Sequence, residues 1–206
     1  ANGYTANITR GDYISNDAKF VLLCNDNEII IEVPNYHRPK IKNASGPFTA
    51  ENQEIDFIDL IIGSEGVFAL IVEVEFNLSD SPKDFLDLFI TLPSEDDAIK
   101  LRGYLEQKDI LYKLTALEYF GYNCQNYMKH KEKLFKTDSS VGIYLQYPVF
   151  DEFMDDVIEK WVILLDKSNC GIEDDNVFLL NTPDNWRVFF EARHSMPTKA
   201  LEKTKE

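Results

Sequence analysis

Basic residues are scarce in this chain: 21 lysines and arginines stand against 36 acids over 206 residues, a net charge of -15. That excess works against direct binding of nucleic-acid phosphates and favours partners with basic surfaces. Cysteine is equally sparse. Cys24, Cys124 and Cys170 are far apart, odd in number and outside any CxxC pair, which argues against both a disulfide framework and a zinc site. There is no run of 18 apolar residues, and the first twenty residues lack the basic start and continuous apolar centre of a signal peptide. A cytoplasmic protein without a membrane span is the expectation. The Asn-X-Ser/Thr triplets at Asn7, Asn43 and Asn77, and the Arg10-Gly11-Asp12 triplet, are therefore read as chance matches of short patterns. The sequence also has no Gly-rich phosphate loop, HExxH helix, GxSxG elbow or kinase signature, and its three histidines are scattered. No cofactor is expected, and His37, in a polar stretch, reads as solvated.

What is present is apolar and aromatic content, 44% and 13%, ample for a packed core. The charge is unevenly placed. Residues 43–99 hold thirteen acids against Lys83 alone, and residues 137–206 hold fourteen acids against seven bases. Between these blocks, residues 100–136 carry eight bases and four acids. The basic segment interleaves Tyr122, Tyr127 and Phe135 with Lys129, Lys131, Lys133 and Lys136, and reads as internal charge balance rather than a nucleic-acid patch.

The chain is organised around residues 54–92. Residues 67–76 alternate, with Phe68, Leu70, Val72, Val74 and Phe76 on one face and Glu73 and Glu75 on the other. The β-branched run at 55–62 and the Gly63-Ser64-Glu65-Gly66 connection suggest an antiparallel hairpin, and 85–92 suggests a third strand of an acidic meander. Before it, runs at 19–24 and 28–33 flank the polar turn Asn25-Asp26-Asn27, Pro34 ends the second of them, and 35–49 reads as a long irregular connection. After it, Pro93-Ser94 followed by Glu95, Asp96 and Asp97 opens a helix to about Gln107 that buries Ala98, Leu101 and Leu105, or Ile99 and Tyr104 if rotated. Strands are expected at 111–119 and 141–147. The clearest helix, 151–168, carries Phe153, Met154, Val157, Ile158, Trp161, Val162 and Leu165 at 3,4 spacing. A hairpin of 177–180 and 186–191 and a frayed tail from Pro197 complete the reading. The fold class is α+β: antiparallel sheet segments in a meander and hairpins, with two or three amphipathic helices. The chain divides into 1–138 and 139–206 at the polar turn Asp138-Ser139-Ser140, or forms one compact domain.

Two arrangements of carboxylates carry chemistry. Asp59 followed by Glu73-Val74-Glu75 on a strand could converge on Mg²⁺ for phosphodiester hydrolysis. This resembles the metal-binding core of the restriction-endonuclease-like nucleases, whose pattern is an acid, a gap, then acid-x-lysine. Here Glu75 stands at the lysine position, and a glutamate there opposes the charge stabilisation that lysine supplies. The second arrangement is a set of acidic rows: Glu73, Glu75, Asp80, Asp84 and Asp87, then Asp151, Glu152, Asp155, Asp156 and Glu159. Strand residues two apart are about 6.6 Å from one another, and helix positions three or four apart about 5 to 6 Å, which suits a basic groove shaped for DNA. In charge and aromatic content the chain is similar to the DNA-mimic inhibitors used by phages and mobile elements against restriction or CRISPR enzymes. The reading leans to a non-catalytic acidic interaction protein whose partner is a basic protein surface. A Mg-dependent nuclease-like enzyme using Asp59 and Glu73, or a general acidic adaptor, is the alternative.

Overall fold

The computed structural model describes residues 3–33 and 54–204. Pro34, His37 and the connection expected at 35–49 lie outside the described residues. The architecture is α+β, with a two-stranded and a four-stranded sheet, both antiparallel, and helices. The chain forms two compact units, residues 1–77 and 78–206. The polar turn at Asp138-Ser139-Ser140 lies inside the second unit, where the strand after it pairs with two strands before it.

In the first unit, β1 (Lys19–Cys24) and β2 (Asn27–Glu32) form the hairpin read from the sequence. Asn25 and Asp26 hold φ of 50° and 62°, the left-handed pair that a two-residue hairpin turn requires and that Asn and Asp tolerate. Phe20, Leu22 and Cys24 face a small core completed by Val33, Phe57 and Leu60, in which the Phe20 and Phe57 rings meet edge to face at 5.1 Å.

Residues 55–62 are not a strand. They contain helix α1 (Phe57–Ile61), because Asp56 caps its start by accepting the Ile58 amide at 2.9 Å and also takes the Gly11 amide at 2.6 Å. With that expected partner helical, residues 67–76 form neither helix nor strand, and Leu70 and Val72 are each 85% exposed. Alternation marks a segment fit for a sheet, but a strand exists only against an edge that satisfies its backbone groups.

The second unit is a sheet in the order β4-β5-β3-β6, covered on both faces. The long central strands β3 (Asp84–Leu92) and β5 (Val141–Val149) pair throughout their nine residues, with β4 (Ala116–Phe120) outside β5 and the short β6 (Val177–Leu179) outside β3. Leu86, Leu88, Ile90 and Leu92 look to one side, where α2 (Glu95–Gln107) and α4 (Met154–Asp166) bring Leu101, Leu105, Val157 and Trp161. Phe89 looks to the other, toward α5 (Pro183–Lys203) and the basic segment, which includes the one-turn α3 (Lys131–Leu134). Of the two faces the sequence left open for α2, the buried one carries Ala98, Leu101 and Leu105, and Ser94 accepts the Asp97 amide.

Three expectations fail in this unit, one of them the frayed tail from Pro197, which is helical to Lys203. Residues 111–113 are a 3₁₀ turn, so the following strand begins at Ala116. Residues 186–191 belong to α5, not to a hairpin: Thr182 caps the helix, Pro183 occupies its first turn, and it continues through Pro197.

On the α5 side, the buried Tyr144 donates its hydroxyl to Asp87 Oδ1 at 2.6 Å. Burial first, and then this bond, push the phenol well above its usual range. A tyrosine raised in the folded state contributes stability that is complete below the unfolded value of about 10 and lost as pH rises through the folded value. Tyr144→Phe removes that titration while leaving the exposed Tyr119, which donates its hydroxyl to Glu95 at 2.7 Å, in place. The stability of the parent is therefore expected to fall more steeply than that of Tyr144→Phe above pH about 10, measured by urea unfolding across a pH series.

Candidate functional site

Helix α4 is where the acidic sequence becomes a surface. Its buried stripe is Val157, Trp161 and Leu165, four residues apart, so the opposite side faces solvent. Asp155 and Asp156 lie in the first turn, where the helix dipole favours negative charge, and Glu159 follows one turn later. All three are exposed and form no ion pair or side-chain hydrogen bond among the described residues. At 3.6 residues per turn, Asp155, Glu159 and Asp166 fall within about 40° of one another, one acidic edge about 16 Å long. Between them the exposed surface is apolar, with Val162 52% and Ile163 45% accessible.

The other carboxylates read from the sequence are placed differently. Asp151 precedes the helix and binds Lys83 Nζ at 2.8 Å, and that bond holds its carboxyl below the usual range. Glu152 pairs with Lys160, whose ammonium is raised by the same contact. Asp84 accepts the Phe85 amide, and Asp80 is exposed. Asp87 is turned into the sheet face, where one oxygen accepts both Tyr144 Oη at 2.6 Å and Gln146 Nε2 at 2.9 Å. Glu73 and Glu75 are exposed in the first unit, in the segment without helix or strand.

Asp59 sits in α1, where it receives Arg10 at 3.0 Å, and the strand pair that would bring it to Glu73 is not formed. Among the described residues no group of three or more His, Cys, Asp or Glu side chains is arranged to hold a metal ion. Part of the basic segment is engaged at home: Lys131 pairs with Asp138 and Lys136 with Asp175, each at 3.0 Å, and His130 meets Glu191 of α5 at 2.9 Å. Arg193 of α5 makes two bonds to Glu118 of β4, at 2.8 and 2.7 Å, a bidentate pair that raises the guanidinium further.

Beside α4 the structure adds residues that the sequence reading missed. A groove of about 540 Å³ runs between α4 and strands β3 and β6, with Leu86, Leu88, Trp161, Val177 and Leu179 among its apolar walls. Asp166, Glu173 and Asp174 also line it, and no lysine, arginine or histidine does. Asp166 was within reach of a periodicity argument, being seven residues after Glu159. Glu173 and Asp174 were not, since the loop after α4 returns them to the same place. No protein-family model matches this chain, and no curated protein matches it.

Proposed function

We propose that this chain is a non-catalytic acidic interaction protein of the cytoplasm that presents the outer face of α4 to a basic protein surface. The supporting observation is the set of exposed carboxylates, Asp155, Asp156 and Glu159, none in an ion pair among the described residues, on a chain whose Lys83 and Lys160 bind Asp151 and Glu152; the charge of Asp156 also acts on Lys160 through space. Asp155 and Glu159 are four residues apart, an arrangement of like charges that costs about 0.2–0.5 kcal/mol until a cation meets it. In its narrower form the reading is a nucleic-acid-mimicking inhibitor of a DNA-binding enzyme, of anti-restriction or anti-CRISPR type. Asp80 and Asp84 of the same unit would then join α4 in meeting the partner, and Glu73 and Glu75 would offer it exposed carboxylates on the first unit.

The test is capture of partners from source-cell lysate on the immobilised protein at low and then high salt, with the Asp155→Asn, Asp156→Asn, Glu159→Gln triple variant alongside. Capture of a basic partner that salt releases and the triple variant fails to retain is expected, because screening removes attraction between exposed charges. Identification of that partner as a DNA-binding enzyme supports mimicry, and any other basic protein supports the adaptor form. Salt-resistant capture undiminished in the triple variant overturns the reading. The variant itself is expected to unfold within about 1 kcal/mol of the parent, since lost dipole contacts and relieved repulsion nearly offset.

A further inference from the structure

We infer that the groove between α4 and the edge strand β6 seats a basic amphipathic helix of the partner, an inference that rests on the acidic-face reading above and supplies the partner's shape. Three observations converge. The groove is apolar inside, with Trp161, Val177 and Leu179 in its walls, and its volume of about 540 Å³ can take several aliphatic side chains. Among the described residues its charged lining is entirely acidic, Asp166, Glu173 and Asp174, which suits a cationic occupant. It lies at the β6 side of the sheet, where among the described residues β6 is the outer strand and pairs with β3 alone.

The occupant follows from dimensions and charge. Asp166 lines the groove, and Asp155 and Glu159 continue the same side of α4 toward its N-terminus, an edge of about 16 Å along the helix axis. A helix lying beside α4 carries apolar residues at the 3,4 spacing into the groove while its flanking lysines and arginines run along that edge. An extended peptide added to β6 has only three residues to pair with, too few for a stable ladder. An anionic ligand meets repulsion from every charged group in the lining.

The experiment uses the full chain carrying Trp186→Phe, so that Trp161 in the groove wall is the one tryptophan left of two. The probe is a synthetic helix of about 15 residues made of Leu at 3,4 spacing and Lys elsewhere. Controls are a scrambled peptide of the same composition and a version with Glu in place of Lys. The Leu/Lys helix is expected to change Trp161 emission saturably, and neither control is. Val162→Lys, at an exposed position, is expected to weaken binding about tenfold or more, as is Asp166→Lys with Asp174→Lys.

Equal response to the scrambled peptide, or none to the ordered one, overturns the inference. So does uptake of a neutral apolar dye without any peptide response, which would make the groove a small-molecule cavity. Loss of binding in the Asp155, Asp156, Glu159 variant but not in Val162→Lys leaves the acidic face in place and overturns the groove. Loss in Val162→Lys alone keeps the groove and overturns the wider role of α4.

Discussion

Phe89→Ala is expected to cost about 3–5 kcal/mol of unfolding free energy, at the upper end of what a single core truncation removes. The ring is fully buried on β3 and lies 5.6 Å from Phe120, 5.4 Å from Phe135 and 5.4 Å from Phe189. Those partners come from β4, the basic segment and α5, so one side chain holds three elements to the sheet. Each aromatic contact adds about 0.5–1.5 kcal/mol beyond the area it buries. The backbone offers little room to close the gap. The ring stands directly over Gly142 of β5, so near that a Cβ built there would be 2.5 Å from Phe89 Cζ. Because β5 is fixed in register on both sides, it cannot move inward to fill the space. Urea unfolding of the parent and the variant measures the difference. A loss below about 1 kcal/mol would mean that the cluster closes over the missing ring.

Asp87→Ala is expected to cost about 1–3 kcal/mol, against a change within about 1 kcal/mol for the three exposed α4 carboxylates together. Asp87 lies opposite Gln146 in the β3-β5 register, and the same oxygen accepts from Gln146 and Tyr144. Removing it leaves a phenol on the covered side of the sheet without its acceptor, which costs more than the bond itself contributed. Asp87→Asn keeps an acceptor oxygen at that position and is expected to recover a large part of that loss. The backbone of the same residue is tied independently, its amide to Asn181 Oδ1 at 3.0 Å and its carbonyl to the Leu180 amide at 2.9 Å, so the strand stays in place. Chemical denaturation of these variants separates acids that hold the fold from acids that face outward. Equal losses for Asp87→Ala and the α4 triple variant would mean that charge alone governs both.

Where local signals agreed, the sequence was sufficient. Helix α2 has a serine cap, three acids in its first turn and apolar residues at 3,4 spacing, and its observed span and buried face follow from them. The Asn25-Asp26 turn is equally local. The errors come where one local signal serves two structures. Thr182-Pro183 opens a turn or caps a helix, and Trp186, Val188, Phe189 and Phe190 suit a strand as well as a helix; packing of Phe189 and Ala192 against the Phe89 cluster decides for the helix. Residues 67–76 alternate without an edge to pair with. For the candidate site, the helical period gave the exposed Asp155, Asp156 and Glu159. It could not give the Lys83–Asp151 contact, which spans 68 residues, or the entry of Glu173 and Asp174 into the groove.

The position of α5 has a consequence for how the second unit is made. Phe89, Phe120, Phe135 and Tyr144 are all synthesised before residue 150, yet the helix surface that covers them, Phe189 and Ala192, follows some 45 residues after Tyr144. During translation at about 5–20 residues per second, and while those later residues cross the ribosomal tunnel, the growing sheet carries a bare aromatic face for several seconds. Chaperones that hold exposed aromatic surface have their opening in that interval, and a ribosome stalled before α5 releases a chain prone to aggregate.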